Sequence, residues 1–252
     1  RGADNITTTY ENCWAFKNGY LKNGTIGGGD GNGFKTGGSD DKLLKHHAIF
    51  KNCIAAGNVY DGFDHNSNRG NIEIYNSGSY SNGRNINFSS SNIANSLTIK
   101  NTLSLLGNSN DSYNATTTDI INNGWQNGIV TNANDFVSLN IDLLTSPRNA
   151  DGSLPNIDFM KLVSGSDLID GGVDIGLPYS GSAPDIGPFE SSTLGLKAID
   201  FVQGFFNYPN PFSVETNIVF SLKEASKIQV SVYSLMGVKV FDIPEKNYLQ
   251  GR

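Results

Sequence analysis

The chain has 252 residues, enough for one large domain or for a domain with a small appendage. Its 29 glycines and abundant asparagine disfavour a helical protein, because both residue types form helices poorly and turns readily. The formal net charge of −6 excludes a strong general attraction to polyanions and argues against nucleic acid as a partner. No apolar run approaches the length of a membrane span, so we expect none.

The first half of the chain contains an internal repeat centred on asparagine. Asn52, Asn76 and Asn101 are spaced by 24 and 25 residues, which is one coil of a parallel β-helix. Short alternating runs before these asparagines and before Asn12 predict four strands: Thr7–Tyr10, Ala48–Phe50, Ile72–Tyr75 and Leu97–Ile99. We expect each asparagine to occupy a tight left-handed bend and to hydrogen-bond from coil to coil.

One coil carries a long insertion. The step from Asn12 to Asn52 is 40 residues, 16 more than the 24-residue coil. The excess is a glycine-rich excursion between Asn18 and His47, and it contains Lys35. Because long loops on a rigid scaffold often carry function, Lys35 is a candidate functional residue. The alternative is a solvated lysine on a strand.

Other chemically reactive side chains in this half give weaker signals. Cys13 and Cys53 occupy equivalent places in the repeat, which leaves open packed thiols on adjacent coils or a disulfide. His46, His47 and His65 lack metal-ligand spacing, and we interpret them as surface or ladder residues.

The repeat fades after about Asn110. The segments from there to Glu190 are typical of the closing segments that cover the last coil and its exposed edge. This region is rich in aspartate, and its spacing fits no EF-hand loop. A structural calcium involving Asp142 and Asp151 is the alternative to solvated loops. The aspartates concerned are Asp135, Asp142, Asp151, Asp170, Asp174 and Asp185.

The character of the chain changes after Glu190. Residues 191–205 are predicted to be a linker, and residues 206–252 a strand-rich module. The YPNPF segment, Tyr208–Phe212, and the VYSLMG turn, Val232–Gly237, resemble the C-terminal sorting domain of the type IX secretion system of Bacteroidetes. That resemblance implies a partial β-sandwich, truncated after Gly251, that engages the secretion machinery. A generic small β-sandwich is the alternative.

Three segments of the first half form a further pattern: GNGFKTGG at 31–38, NCIA at 52–55 and GFDHNSN at 62–68. Together they resemble the family 9 polysaccharide lyases over about Glu11–Glu190. These are pectate lyases built on a right-handed parallel β-helix. The resemblance implies an all-β fold and a secreted or surface-delivered monomer. It also implies calcium-dependent cleavage of pectate by β-elimination.

The same resemblance suggests roles for single residues. The lysine of the GNGFK segment is the base in that family, which makes Lys35 the expected catalytic residue. Asp64, Asn66 and Asn68 alternate, so we expect them to share one face and line a cleft beside the lysine. Arg69 could reach a uronate carboxylate bidentately. The alternative for this set is a polar ladder followed by a solvated arginine.

The glycines around the lysine, Gly33 and Gly37-Gly38, are expected to let a sugar chain approach the backbone. In the family the calcium ligands are clustered aspartates, including a DDGxD segment, on the coils before the GNGFK loop. Asp30, Asp40 and Asp41 do not match that pattern.

We therefore expect that the primary calcium ligands lie upstream of Arg1 and that these 252 residues alone have no lyase activity. Two rival functions remain at this stage: a non-catalytic glycan-binding or adhesion β-helix, and a lyase of another polyuronate such as alginate. A hydrolase would need paired acids across the cleft, and no such pair is evident.

Overall fold

The computed structural model describes residues 6–191, 202–208, 214–222, 225–233 and 239–249. The chain divides into two compact units, residues 1–192 and 193–252. Across the described ranges the regular elements are β-strands and two short 3-10 helices, which confirms the all-β prediction. None of the described helices has the length and apolar character needed to span a bilayer.

The first unit is a parallel β-helix in which four successive coils each contribute one strand to each of three sheets, and a fifth strand extends the first sheet. Sheet 1 contains β1 (Thr7–Glu11), β4 (His47–Lys51), β7 (Asn71–Tyr75), β10 (Ala94–Lys100) and β13 (Ala115–Ile121). Sheet 2 contains β2 (Trp14–Phe16), β5 (Ile54–Ala56), β8 (Gly78–Tyr80) and β11 (Leu103–Leu105). Sheet 3 contains β3 (Phe34–Lys35), β6 (Asp61–Asp64), β9 (Arg84–Phe88) and β12 (Ser112–Tyr113). Neighbouring strands are parallel throughout, and the four strands predicted from the sequence all lie in sheet 1.

Left-handed asparagines make the bend between sheet 1 and sheet 2. The predicted bend residues all have φ between 41° and 54°, and Asn122 extends the series with φ 53°. The side-chain amide of Asn101 donates to Asn76 Oδ1 at 2.9 Å, and that of Asn52 donates to Asn12 Oδ1 at 3.3 Å. Asparagine suits this place because it tolerates the left-handed region and bonds along the stack.

Stacked aromatic rings fill the interior between the sheets. Tyr10 and Phe50 stack with their ring centroids 4.7 Å apart, and Phe34 and Phe63 stack at 5.2 Å. Because Phe34 and Phe63 point into this core, the residues that follow them, including Lys35, point outward.

The two cysteines are free thiols. Cys53 is fully buried, and burial raises the pKa of its thiol to about 12. Cys13 is half-buried one coil away and packs against the same core. Of the two possibilities left open by the sequence, the structure has the packed thiols.

The segments after β13 contain the 3-10 helices Ala133–Asp135 and Ile141–Thr145. They do not simply cap the last coil. Their apolar residues, such as Phe159 and Leu168, pack along the outer face of sheet 2 against Ile54 and Leu103, which belong to different coils. The physical reason is that the outward residues of sheet 2 are apolar and need a cover.

The second unit contains two antiparallel strand pairs, β14 (Val202–Tyr208) with β15 (Asn217–Leu222), and β16 (Ser226–Tyr233) with β17 (Lys239–Tyr248). β14 begins at Val202, so the last four residues of the expected linker are in a strand. The rest of that linker from residue 192, most of the YPNPF segment and the end of the VYSLMG turn lie outside the described residues.

Candidate functional site

Sheet 3 presents a row of polar side chains on its outer face. Lys35 on β3 pairs in register with Asp64 on β6, Asp64 pairs with Asn87 on β9, and Asn87 pairs with Ser112 on β12. We call these four residues the outer row. Each coil contributes one residue to this row, and adjacent strands are about 4.8 Å apart. A different polar group therefore follows at about that interval along the helix axis.

A second line of polar residues runs beside the outer row, at the beginning of the same strands. Asp61 pairs in register with Arg84 on the next coil. Asn32, in the loop before β3, accepts from the Asp61 amide nitrogen at 2.9 Å and donates to Asp64 Oδ2 at 3.2 Å. Asn32 therefore ties the loop that precedes Lys35 to the coil below it.

Asn87 connects the two lines. Its amide donates to Asp61 Oδ2 at 2.7 Å, and its Oδ1 accepts from Arg84 Nη1 at 2.9 Å and from the Ser112 hydroxyl at 3.1 Å. Sequence reasoning missed Asp61, Arg84 and Asn87. The signal that finds them is the number of residues per coil, because Arg84 follows Asp61 by 23 residues and Asn87 follows Asp64 by the same number.

Lys35 is one-third exposed at its side chain, and its amine forms an ion pair with Asp30. Asp30 is an exposed residue of the glycine-rich loop before β3. The hydrogen bond and charge of Lys35 hold the pKa of the Asp30 carboxyl below its usual range. The ion pair occupies the amine, so a base function for Lys35 requires that Asp30 release it.

Asp64 lies beneath the surface of the row. Burial raises the pKa of its carboxyl, the Asn66 amide hydrogen bond opposes that rise, and the neighbouring Asp61 adds to it. Oδ1 accepts from Asn66 N at 2.7 Å, and Oδ2 accepts from Asn32. With both oxygens in use, Asp64 is a buried hydrogen-bond acceptor beside Lys35 rather than an exposed ligand group.

The expected alternation of Asp64, Asn66 and Asn68 ends at the strand. Asn66 and Ser67 have φ of 44° and 63°, so the chain turns and the three side chains do not share one face. Asn66 is half-buried in that turn. Asn68 is fully buried, and its amide bonds the His46 nitrogen at 3.1 Å and the His46 oxygen at 3.0 Å. Its observed contacts therefore hold the loop together.

Arg69 directly follows Asn68, in the loop before β7. Its Nη2 donates to Asn92 Oδ1 at 2.6 Å. It lines a cavity of about 250 Å³ together with Lys45, His46 and His47, and neither Lys35 nor Asp64 belongs to that lining. The structure therefore brings Asp64 to the lysine but puts Arg69 in a different recess.

The glycines around Lys35 serve backbone packing. A Cβ at Gly37 would lie 1.8 Å from the Asn66 carbonyl oxygen, and one at Gly33 would lie 2.6 Å from the Gly62 oxygen. Gly38 has φ +130° and space around it. For Gly33 and Gly37, the expected approach of a sugar is replaced by close contact between adjacent coils.

Residues 6–191 and the described strands of the second unit contain no group of three or more His, Cys, Asp or Glu that could hold a metal ion. Asp142 forms an ion pair with Lys17, and Asp151 accepts from the Ser153 nitrogen at 2.9 Å. The residues present therefore do not fit the structural calcium considered for Asp142 and Asp151.

The histidines are engaged in local bonds. Nε2 of His46 bonds the Thr36 carbonyl oxygen at 2.9 Å, and Nε2 of His47 bonds a Glu73 carboxylate oxygen at 2.8 Å. His65 is buried beside Asp64, with its Nδ1 at 4.0 Å from Oδ1 of that carboxylate. These contacts agree with the interpretation of the histidines as surface and ladder residues.

Comparison with known proteins now identifies the scaffold. Residues 3–132 match the family model described as Pel9A-like, right handed beta helix region. A curated relative, Pectate lyase L of Dickeya chrysanthemi, is 40% identical over 185 residues, which are 71% of this chain and 41% of that protein.

Two solved structures are similar. The crystal structure of pectate lyase Pel9A matches with a TM-score of 0.63 and 37% identity, over 73% of this chain and 45% of that one. A rhamnogalacturonan lyase matches with a TM-score of 0.54 and 25% identity, over 65% and 45%. The chain thus spans about two fifths of the length of the curated relative. Since the family model covers just over half of its 252 residues, the chain belongs to the Pel9A-like right-handed β-helix family.

Proposed function

We propose that the chain carries the catalytic base of a polysaccharide lyase that cleaves pectate by β-elimination, and that Lys35 is this base. The observation that carries the proposal is the place of Lys35: an outward amine at the start of the outer row, on a scaffold of the Pel9A-like family. The similarity to Pectate lyase L supports the substrate class.

The chemistry fits an amine in that position. Lys35 takes the proton from C5 of a uronate, the carbon next to the carboxylate. As the C5–H bond breaks, a double bond forms between C4 and C5, and the C4–O4 bond breaks. The leaving oxygen then takes a proton. For this to happen, the substrate must separate Lys35 from Asp30, which lies on a glycine-rich loop.

Arg84 is the group best suited to bind a substrate carboxylate along the row. Its Nη1 is bonded to the neutral Asn87 amide, and it has no ion pair among the described residues. A guanidinium offers several donors in a fixed fork that matches a carboxylate. Arg84 lies two coils from Lys35, about 10 Å along the axis, so it would contact a neighbouring sugar rather than the reacting one.

Calcium remains part of the proposal as the cofactor that neutralises the reacting carboxylate. The described residues do not provide a cluster that fits it, so no step above is assigned to a metal ion.

The test is the replacement Lys35→Ala in the longest natural chain that contains these residues, with Lys51→Ala on sheet 1 as the control. Loss of a general base costs about 10²–10⁴-fold in turnover. We expect that loss for Lys35→Ala alone, with pectate affinity retained, measured by the ultraviolet absorbance of the unsaturated product. Turnover within a few-fold of wild type would place the base elsewhere. Pectate binding without any product from the wild type would favour the glycan-binding alternative.

A lyase acting on rhamnogalacturonan is the second candidate, and the structural similarity to a rhamnogalacturonan lyase favours it. A panel of polygalacturonate, rhamnogalacturonan and alginate decides between the polyuronates. The preferred polymer is the one with the highest kcat/KM.

We also propose that residues 206–252 are a partial type IX sorting domain and that the protein is a secreted or surface-delivered monomer. The two antiparallel strand pairs of the second unit support a small β-sandwich of that kind. Deletion of residues 206–252 should then retain the protein inside a host that has type IX secretion. Unchanged export of the deletion variant would refute the assignment.

A further inference from the structure

The cavity beside Arg69 has an unusual charge for this chain. It occupies about 250 Å³ where the strands of sheet 1 begin, and four of the residues that line it are Lys45, His46, His47 and Arg69. None of the described residues that line it is acidic, although the chain as a whole carries a net charge of −6. The Arg69 guanidinium gives this recess a positive charge that no carboxylate of the described lining balances, and such a place attracts an anion.

Arg69 is the centre of this recess. Its backbone is fixed, because its nitrogen donates to the Leu44 oxygen at 2.8 Å and its oxygen accepts from Asn95 N at 3.2 Å. Its side chain is held by the neutral Asn92 amide. Among the described residues it has no carboxylate partner, and its buried Nε has no hydrogen-bond acceptor. Partly buried charges are normally paired with an opposite charge, and Arg69 has no such pair among the described residues. Its guanidinium therefore has N–H donors that remain available to a ligand.

The remaining walls suit a sugar. Nε2 of His46 carries a hydrogen, because its partner is the Thr36 carbonyl oxygen, which can only accept. His47 is held by Glu73, which is not part of the lining. Asn71 and Asn95 also line the cavity and bond each other at 2.7 Å, presenting amide groups of the kind that bind hydroxyls.

We propose that this cavity is an accessory binding site for a uronate carboxylate of the polysaccharide, with Arg69 as the main contact. The assignment rests on the proposed function for the substrate class. A carboxylate on a sugar matches the guanidinium fork, and the amides accommodate the ring hydroxyls. A polymer with one carboxylate per sugar can engage both this cavity and the outer row, which raises its effective concentration at Lys35.

The three histidines give a direct test, because the chain has no others. His46 and His47 line the cavity, whereas His65 is buried next to Asp64, a member of the outer row. Imidazole NMR signals are recorded while trigalacturonate is added to the Lys35→Ala chain, which prevents turnover. We expect saturable shifts of the His46 and His47 signals. Shifts of the His65 signal report separately on binding at the outer row, so the accessory site and the proposed function can fail independently.

The variant Arg69→Gln should weaken the binding reported by His46 and His47 about tenfold, the loss expected for one charged hydrogen-bonding group. Arg148→Gln, an equal change of charge at an exposed residue outside the cavity, should leave that affinity unchanged. Asn71→Ala, at an exposed position of the cavity lining, should weaken it several-fold and keeps the test valid if Arg69→Gln fails to fold.

Three results would overturn the assignment. The first is an absence of shifts at His46 and His47, and the second is unchanged affinity in both cavity variants. The third is equal affinity for inorganic phosphate, or for trigalacturonate with methyl-esterified carboxyls, because neither probe presents a uronate carboxylate.

Discussion

The replacement Phe63→Ala tests the packing that orients the whole candidate site. Phe63 is 1% exposed, stacks on Phe34 at 5.2 Å and meets Phe50 edge-on at 5.3 Å. Removal of such a ring leaves a cavity and costs about 3–5 kcal/mol. Each of the two aromatic pairs lost contributes about 0.5–1.5 kcal/mol beyond area burial, so we expect a value near 4 kcal/mol. For a protein of this size that lowers the unfolding temperature by about 8–16 °C.

Tryptophan fluorescence is the appropriate assay. The chain has two tryptophans, Trp14 and Trp125, and both belong to the first unit. Thermal unfolding followed by their emission therefore reports on the β-helix without a contribution from tryptophan in residues 193–252. Tyr60→Ala is the matched control, because Tyr60 is 53% exposed and only three residues away. Its expected effect is within about 0.5 kcal/mol.

If Phe63→Ala destabilises the unit no more than Tyr60→Ala, the side chain does not point into the core. The alternation on β6 would then be inverted. In that case Lys35, which shares its register with the residue after Phe63, would not face outward, and the outer row would be wrong.

Three further predictions follow from single residues. Burial raises the pKa of Glu190 to about 7 in the folded chain, whereas the unfolded carboxyl releases its proton near pH 4.5. Between these pH values the folded state keeps a proton that the unfolded state has lost, so the free energy of unfolding falls as the pH rises. Glu190→Gln should therefore raise the unfolding temperature more at about pH 8 than at about pH 5, and equal gains would contradict this. Cys53, buried with a raised pKa, should resist alkylation in the folded chain while the half-buried Cys13 reacts first, as read by peptide mass spectrometry; equal rates would refute the burial. Gly37→Ala forces a Cβ against the Asn66 carbonyl and should destabilise by about 1–3 kcal/mol in thermal unfolding, whereas a neutral result would mean that the loop moves freely.

The fold could be predicted because its most regular feature, the bend at each coil, depends on a residue type that can be recognised in the sequence. The asparagine bends need a residue that tolerates positive φ, and this requirement recurs at each coil, so the spacing of Asn52, Asn76 and Asn101 marks the coil length. The strands of sheet 1 alternate cleanly because one face meets the core and the other meets solvent. Sheet 2 was harder to foresee. Its strands are only three residues long, and the closing segments cover their apolar outer side, so they show no polar face toward solvent.

The candidate site was only partly predictable. Lys35 can be singled out from the GNGFK motif and from the long glycine-rich insertion that contains it. Arg84 and Asn87 look like ordinary surface polar residues until the coils are placed in register. Alternation was extended too far beyond Asp64, because the left-handed Asn66 ends the strand pattern and no period-two rule reveals where a turn begins. Arg69 has a chemistry suited to carboxylates, but only the path of the turn decides which recess it enters.

The order of the four side chains in the outer row differs between the two directions along sheet 3. Going along the helix axis, a bound molecule passes an amine, a buried carboxyl, an amide and a hydroxyl in turn, about 4.8 Å apart. These four groups are unlike one another, so the sequence of contacts is different when read from the opposite end. A polymer laid along this axis would therefore be distinguished head from tail, and its two possible orientations would have unequal energies.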